Sequence, residues 1–345
     1  MILPTWVDSH THLVYAGNRE DEFKDRIKGL SYQEIAKKGG GILNSAKKLN
    51  KTSEDQLFDE AKQRLNNLIS LGTGAIEIKS GYGLTHEAEI KMLKVINMLK
   101  ATSPIPIKVT HLAAHALPKI YKDDKKTYIE SIVEKTLPYV AENQLADYVD
   151  VFCEKGYFDL DDTEKILKAS QKYGLKPKIH VNQFNAFGGV ELSTRYNALS
   201  VDHLEELTAK DIESLKHSTT IPVALPGCSF FLSIPYTPGR KLIDEGLPLA
   251  LASDYNPGSS PSGNMNFVMA LACIKMNLLP EEAINASTIN AAAAIEISDI
   301  AGSISLGKKA NFIITKAIPS HTYMPYAFGE NHIDQVWING KQFES

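Results

Sequence analysis

Two histidines one residue apart, His10 and His12, sit at the end of the run WVDSHTHLV near the start of the chain. On an extended segment residues i and i+2 share a face, so both imidazoles project the same way. Crowded ring nitrogens need partners, and one divalent ion satisfies both rings at once. His180 and Asp254, each at the end of another apolar run, complete a set of three imidazoles and one carboxylate. That set, without a cysteine cage, suits a single zinc or iron ion that keeps a position for water. Such an ion lowers the pKa of water toward about 7 and supplies a nucleophile at neutral pH. Asp254 can both ligate and accept the proton of that water, and His203 can polarise a carbonyl or shuttle a proton. The chemistry is hydrolysis of a polarised C–N bond. Taken alone, His111 or His115 reads as an ordinary hydrogen-bonded strand-end histidine, and His86, His217, His321 and His332 read as surface or structural.

These residues need a scaffold that gathers strand ends. Short β-rich runs alternate with helical patterns along most of the chain. The strand-like runs are TWVDSHTHLV, GAIEIKSGYG, PIKVTHLAAH, DYVDVFCE, KPKIHVNQ, LSVDHLE, TIPVALPGC and LPLALASDYNPG. Helices are predicted over 53–72, 85–100, 124–143, 161–174, 189–196, 209–217 and 239–245, then 264–277 and 281–295. In the first of these Leu57, Ala61, Leu65, Leu68 and Ile69 keep helical spacing, with Ser53 as N-cap and Gly72 as stop. Strict alternation implies parallel strands, and eight of them close a TIM (β/α)8 barrel, an α/β fold whose sites lie at the strand C-termini. The alternative, an open doubly wound sheet, usually carries a glycine-rich phosphate turn after its first strand, which DSHTHLVYAG is not. Beyond residue 305, KKANFIIT and DQVWINGKQF read as strands of a small β appendage, giving a barrel over 1–305 and an appendage over 306–345.

Composition excludes several classes of function. With 345 residues the chain is long enough for one large domain plus an appendage. The net charge of −4 comes from well-mixed residues with no basic block, which argues against nucleic acid. Cys153, Cys228 and Cys273 are far apart in apolar segments, as reduced thiols of a cytoplasmic protein are. No leader-like stretch or membrane-length apolar run occurs, so no membrane partner is expected.

The runs DSHTHLVYAGNREDEF, KGGGIL, EIKSGYGL, HLAAHALP, HVNQF, VDHLE and ASDYNPGS, in that order, resemble the imidazolonepropionases of the amidohydrolase superfamily. The resemblance implies a distorted (β/α)8 barrel with a small β-sandwich, and a homodimer. It also implies hydrolysis of 4-imidazolone-5-propanoate to N-formimidoyl-L-glutamate in histidine degradation. Carried over by motif, His10, His12, His180 and Asp254 resemble the metal ligands and His203 the catalytic histidine. Tyr32, Tyr82 and His115 resemble substrate contacts, and Arg19 can clamp the propanoate carboxylate in a bidentate pair. Gln183 faces the ring in the family pattern; a glutamine orients but cannot act as a base, which leaves proton transfer to His203 and Asp254. Asn256, Gly258 and Ser259 resemble the loop that holds the product, and Gly258 would let a backbone N–H approach the ligand. The triglycine Gly39 to Gly41 reads as a ligand-contacting loop or a turn. The family has an N-terminal segment before the first barrel strand, so the β-sandwich here is expected to be truncated, with unpartnered strands from Asn311 and Gln335. Two other readings are a nucleobase-type deaminase and a metal-binding barrel without turnover.

Overall fold

The computed structural model describes residues 1–30, 34–35 and 38–344. The chain opens with a short strand, β1 (Ile2–Pro4), and then enters the barrel at β2 (Trp6–Asp8). The next seven barrel strands are β3 (Thr73–Lys79), β4 (Ile107–Ala114), β5 (Tyr148–Cys153), β6 (Lys176–Val181), β7 (Ser200–His203), β8 (Ile221–Ala224) and β9 (Ala250–Leu251). All pair in parallel with their sequence neighbours, as the alternation predicts. The ring closes through loop backbone. Thr11 bridges Tyr255, the His12 N–H donates to the Tyr255 carbonyl at 2.9 Å, and the Asp254 N–H donates to the His10 carbonyl at 3.0 Å. The seam that completes the barrel therefore brings the His-x-His pair against Asp254. Buried Asp8 reinforces it by accepting from the N–H (3.0 Å) and hydroxyl of Ser253.

The outer helices follow their sequence signals. Ser53 caps Glu54–Ser70 by accepting from the Gln56 N–H at 3.2 Å, and Leu57, Ala61, Leu65, Leu68 and Ile69 are its buried face. Three expectations are corrected. The helix over 124–143 is interrupted by a π-helical turn, Ile132–Thr136, just before Pro138, which has no N–H to continue an α-helical ladder. The helix over 281–295 divides into Pro280–Ala286 and Ile289–Ala293, and the Ser287 carbonyl at the break accepts the Val7 N–H of β2 at 2.9 Å. The run TIPVALPGC turns into a helix, Pro226–Leu232, with proline in its first turn.

A second sheet of four antiparallel strands orders β1, β10 (Phe312–Thr315), β11 (Ile333–Ile338) and β12 (Lys341–Gln342). The strands expected to lack partners have them: Ile2 pairs with Ile314 and Pro4 with Phe312, and β11 pairs with β10. Among the described residues no helix is long and apolar enough to cross a membrane.

Alternation within the barrel strands divides two environments. Ile76, Ile78, Val109, Val149, Val151, Ile179 and Val201 join helix residues such as Leu65, Leu93 and Ile96 in the main core. The alternate positions are Glu77, Lys79, Thr110, Asp150, Lys178, His180, Ser200 and Asp202, all buried. Where such barrels usually hold Val, Ile and Leu, this interior holds charge.

Candidate active site

The centre is assembled from the C-terminal ends of the strands. His10 and His12 follow β2, His180 lies on β6, and Asp254 follows β9. Ring centroids lie 5.3 Å apart for His10 and His12, 4.4 Å for His10 and His180, and 5.5 Å for His12 and His180. His10 Nδ1 is 2.7 Å from Asp202 Oδ2, and His180 Nδ1 is 2.8 Å from Asp150 Oδ2. An ionised carboxylate only accepts, so each ring donates its Nδ1–H and keeps the Nε2 lone pair. His10 Nε2 is buried without a hydrogen-bond partner and stands 3.6 Å from Asp254 Oδ1; His12 Nε2 stands 3.5 Å from the same oxygen. Buried lone pairs facing a carboxylate repel one another unless a cation lies among them. Potential ligand atoms of His10, His12 and Asp254 fall within 4.8 Å of one another, as do those of His10, His180 and His203. The donor set fits one divalent ion.

The electrostatics agree with the geometry. Burial, followed by Lys79 and the neighbouring rings, holds His10 and His180 well below the ordinary histidine range; burial and then His115 do the same for His12. All three are neutral, the ligating form. Burial pushes the Asp254 carboxyl up to about 6, although His203 works against it. For His203 burial disfavours the charged ring, but Glu205, Asp254 and Asp202 outweigh it and raise its pKa. His203 Nδ1 is 3.3 Å from Glu205 Oε1, which also accepts from the Ser229 hydroxyl at 3.2 Å. Both His203 (φ +93°) and Asp254 (φ +52°) occupy left-handed backbone. Conformations of this kind cost about 1–3 kcal/mol and persist where surroundings fix them. Here the Thr237 hydroxyl donates to the His203 carbonyl at 2.6 Å, and Asn256 Nδ2 donates to the Asp254 carbonyl at 2.6 Å.

A small, partly enclosed cavity lies over these groups. Its walls include His12, Arg19, Tyr82, His115, His180, Gln183, His203, Asp254, Asn256 and Ser259, all singled out by motif, and Ile42 and Phe152, which are not. Phe152 shares the inward alternation of Asp150 and pairs in register with His180, the one signal that could have found it. Tyr32 lies outside the described residues. His115 Nδ1 is 2.9 Å from the Gly81 carbonyl, and burial pushes its pKa down to about 4, so the ring is neutral with Nε2 as an acceptor. It therefore suits a ring N–H better than a carboxylate. Gln183 Nε2 contacts Cys228 Sγ at 3.4 Å.

Gly258 has a different reason from the one expected. Its N–H donates to Asn256 Oδ1 at 2.8 Å, and a Cβ there would lie 1.9 Å from Arg19 Nη1. The glycine makes room for the guanidinium. Arg19 is oriented by Glu22, which takes its Nε at 2.8 Å and also accepts from the Gly41 N–H at 3.1 Å and Asn44 Nδ2 at 3.0 Å. The last glycine of the triglycine therefore shares the carboxylate that holds Arg19, and caps Ile42–Lys51 at φ +71°. Glu22 lies in the EDEF that follows Arg19 and Glu205 ends the run VDHLE, whereas Asp150 carries no motif, although an acid interrupting the apolar strand YVDVFC is a readable anomaly.

The sequence model of the amidohydrolase family matches residues 1–343. A curated protein of Christiangramia forsetii called imidazolonepropionase is 61% identical over 341 residues, covering 99% of this chain and 83% of its own. Its namesake from Flavobacterium johnsoniae is 62% identical with the same coverage, and that of Alkaliphilus oremlandii is 44% identical, covering 99% of this chain and 81% of its own. Among solved structures, 5-methylcytosine deaminase from Klebsiella pneumoniae liganded with phosphonocytosine has a TM-score of 0.80 at 14% identity, covering 100% of this chain and 87% of that one. Guanine deaminase from C. acetobutylicum with bound guanine has a TM-score of 0.73 at 16% identity, covering 99% and 87%. At such identities the likeness is one of fold.

Proposed function

The chain belongs to the imidazolonepropionases of the amidohydrolase family, and from that membership we propose how its site opens the ring amide of 4-imidazolone-5-propanoate to give N-formimidoyl-L-glutamate in histidine degradation. One observation carries the reading: neutral His10, His12 and His180 converge with Asp254 on an unpartnered buried Nε2, beside His203 and under a cavity walled by Arg19.

His10, His12, His180 and Asp254 would hold one divalent ion, zinc or iron, which when bound makes water more acidic and the substrate carbonyl more electrophilic. Arg19 takes the propanoate carboxylate through its guanidinium. His115 accepts from a ring N–H, Tyr82 and Phe152 flank the ring, and Gln183, Asn256 and Ser259 line its other side. Protonated His203, backed by Glu205, donates to the carbonyl oxygen as negative charge develops there. Water oxygen bonds to the carbonyl carbon while Asp254 accepts its proton, then returns it to the ring nitrogen as the C–N bond breaks. The products are a carboxyl group and the formimidoyl nitrogen of one molecule.

A nucleobase offers no anion for Arg19, which favours the propanoate substrate over the bases of the deaminases that share the fold. We include in this reading a cytoplasmic homodimer, to be checked by sedimentation. The test of function is metal analysis combined with incubation of 4-imidazolone-5-propanoate and detection of formimidoylglutamate. Folded, metal-replete protein without turnover would remove the reading.

A further inference from the structure

The charged layer beneath the centre contains an ammonium that no step of the reaction uses. Lys79 on β3 is fully buried, with Nζ 2.9 Å from Asp150 Oδ2, 3.0 Å from Glu77 Oε1 and 3.7 Å from Asp202 Oδ2. Two of these oxygens are the ones that meet the histidines. Asp150 Oδ2 lies 2.8 Å from His180 Nδ1, and Asp202 Oδ2 lies 2.7 Å from His10 Nδ1. The third carboxylate reaches the segment between His10 and His12: the Thr11 N–H donates to Glu77 Oε2 at 3.3 Å, and the Thr11 hydroxyl to the Glu77 carbonyl at 2.6 Å. Ligands that enter from opposite parts of the barrel, on β2 and β6, are thus tied to one cation through one carboxylate each.

We infer that Lys79 is a positioning residue of the centre: by anchoring Asp150 and Asp202 it sets the orientation of His10 and His180 and leaves both Nε2 atoms to the metal. The inference rests on the metal reading proposed above. Lys178 supplies the contrast. It is equally buried, but its Nζ donates to Ser200 Oγ at 2.7 Å and to the Ala294 carbonyl at 3.3 Å, and of the two histidine-bound carboxylates it has only Asp202 within 4 Å, at 3.8 Å. Removing either lysine deletes a buried ammonium; only Lys79 joins the two histidine-bound carboxylates.

Loss of an outer partner of a metal-bound histidine typically weakens metal affinity about 10–100-fold. The experiment compares demetallated wild type, Lys79→Met and Lys178→Met by zinc titration against a chelating indicator, with circular dichroism as the fold control. Histidine-selective ¹⁵N spectra of the zinc-free proteins read the ring tautomers. Lys79→Met is expected to lose zinc affinity by about 10–100-fold and to mix the tautomers of His10 and His180. Lys178→Met is expected to keep affinity and tautomers near wild type. Wild-type affinity in Lys79→Met, or an equal loss in Lys178→Met, overturns the inference while leaving the metal centre standing. A wild type that binds no zinc overturns the centre itself and the inference with it. Should Lys79→Met fail to fold, the wild-type spectrum still decides, because an Nε2-protonated His10 or His180 contradicts the proposed anchoring.

Discussion

Arg19 and residue 258 compete for one volume. Gly258 needs no left-handed backbone, so alanine there acts through the guanidinium it would strike at 1.9 Å. A charge-assisted bond to the substrate carboxylate is worth about 1.5–3 kcal/mol and is made in the ground state and transition state alike. Arg19→Ala should therefore raise KM about 10–100-fold with kcat little changed. Gly258→Ala should reproduce part of that effect, and the double variant should be no worse than Arg19→Ala in steady-state kinetics; independent, additive effects would separate the two residues. His203 makes a second test. Burial opposes its charge, yet Glu205 and then Asp254 and Asp202 raise its pKa, so the imidazolium persists to higher pH than in an ordinary histidine. Activity that needs this form declines as pH rises through the pKa. Glu205→Gln removes a raising charge and should move the alkaline decline of kcat/KM to lower pH; an unmoved profile would deny His203 its protonated role. At this scale the ligands and Arg19 were legible because polar residues at the ends of apolar runs are anomalies. The role of Lys79 was not, since it is explained by Asp150 and Asp202 on other strands.

The closing seam between β2 and β9 has its own pH dependence. Burial pushes Asp8 up to about 7, against the lowering effect of the Ser253 hydrogen bonds. Between about pH 4 and 7 the folded chain holds a proton that an unfolded aspartate has released, so stability present at low pH is lost as pH rises through that window. A shift of about three units corresponds to an effect on the order of 4 kcal/mol. Asp8→Asn can still accept the Ser253 N–H but does not titrate. Its unfolding temperature relative to wild type should rise from pH 4 to pH 7, and a pH-independent difference would show that Asp8 does not titrate in this window. The order of strands and helices followed from periodicity, because packing one face against the barrel imposes it. Where the helices break did not, because Pro138 and the Ser287 carbonyl act through backbone hydrogen bonding that side-chain periodicity does not carry.

Across the whole molecule the barrel interior carries Glu77, Asp150 and Asp202 against Lys79 and Lys178, and Asp254 adds another carboxylate above them. The excess of two negative charges is what a divalent ion offsets. A chelator should abolish turnover and lower the unfolding temperature, and zinc or iron should restore both. An ion present at about a thousand times its dissociation constant adds about 4 kcal/mol, a shift on the order of 5–10 °C in calorimetry. An unfolding temperature indifferent to metal would remove the ion from the folded state. The second sheet shows the same dependence on the whole: Ile2 meets Ile314 only because the barrel returns the two ends of the chain to one place.

By itself the sequence determined the alternating barrel strands and the residue types of the proposed metal-ligand set and of the proposed substrate cation, because burial periodicity and donor chemistry are local properties. Tertiary structure alone decided which groups hold those residues in place. Asp202 orients His10 across 192 positions and Asp150 orients His180 across 30, with Lys79 linking them and Arg19 resting against Gly258. Such contacts depend on closing the ring, and ring closure is a property of all eight strands at once.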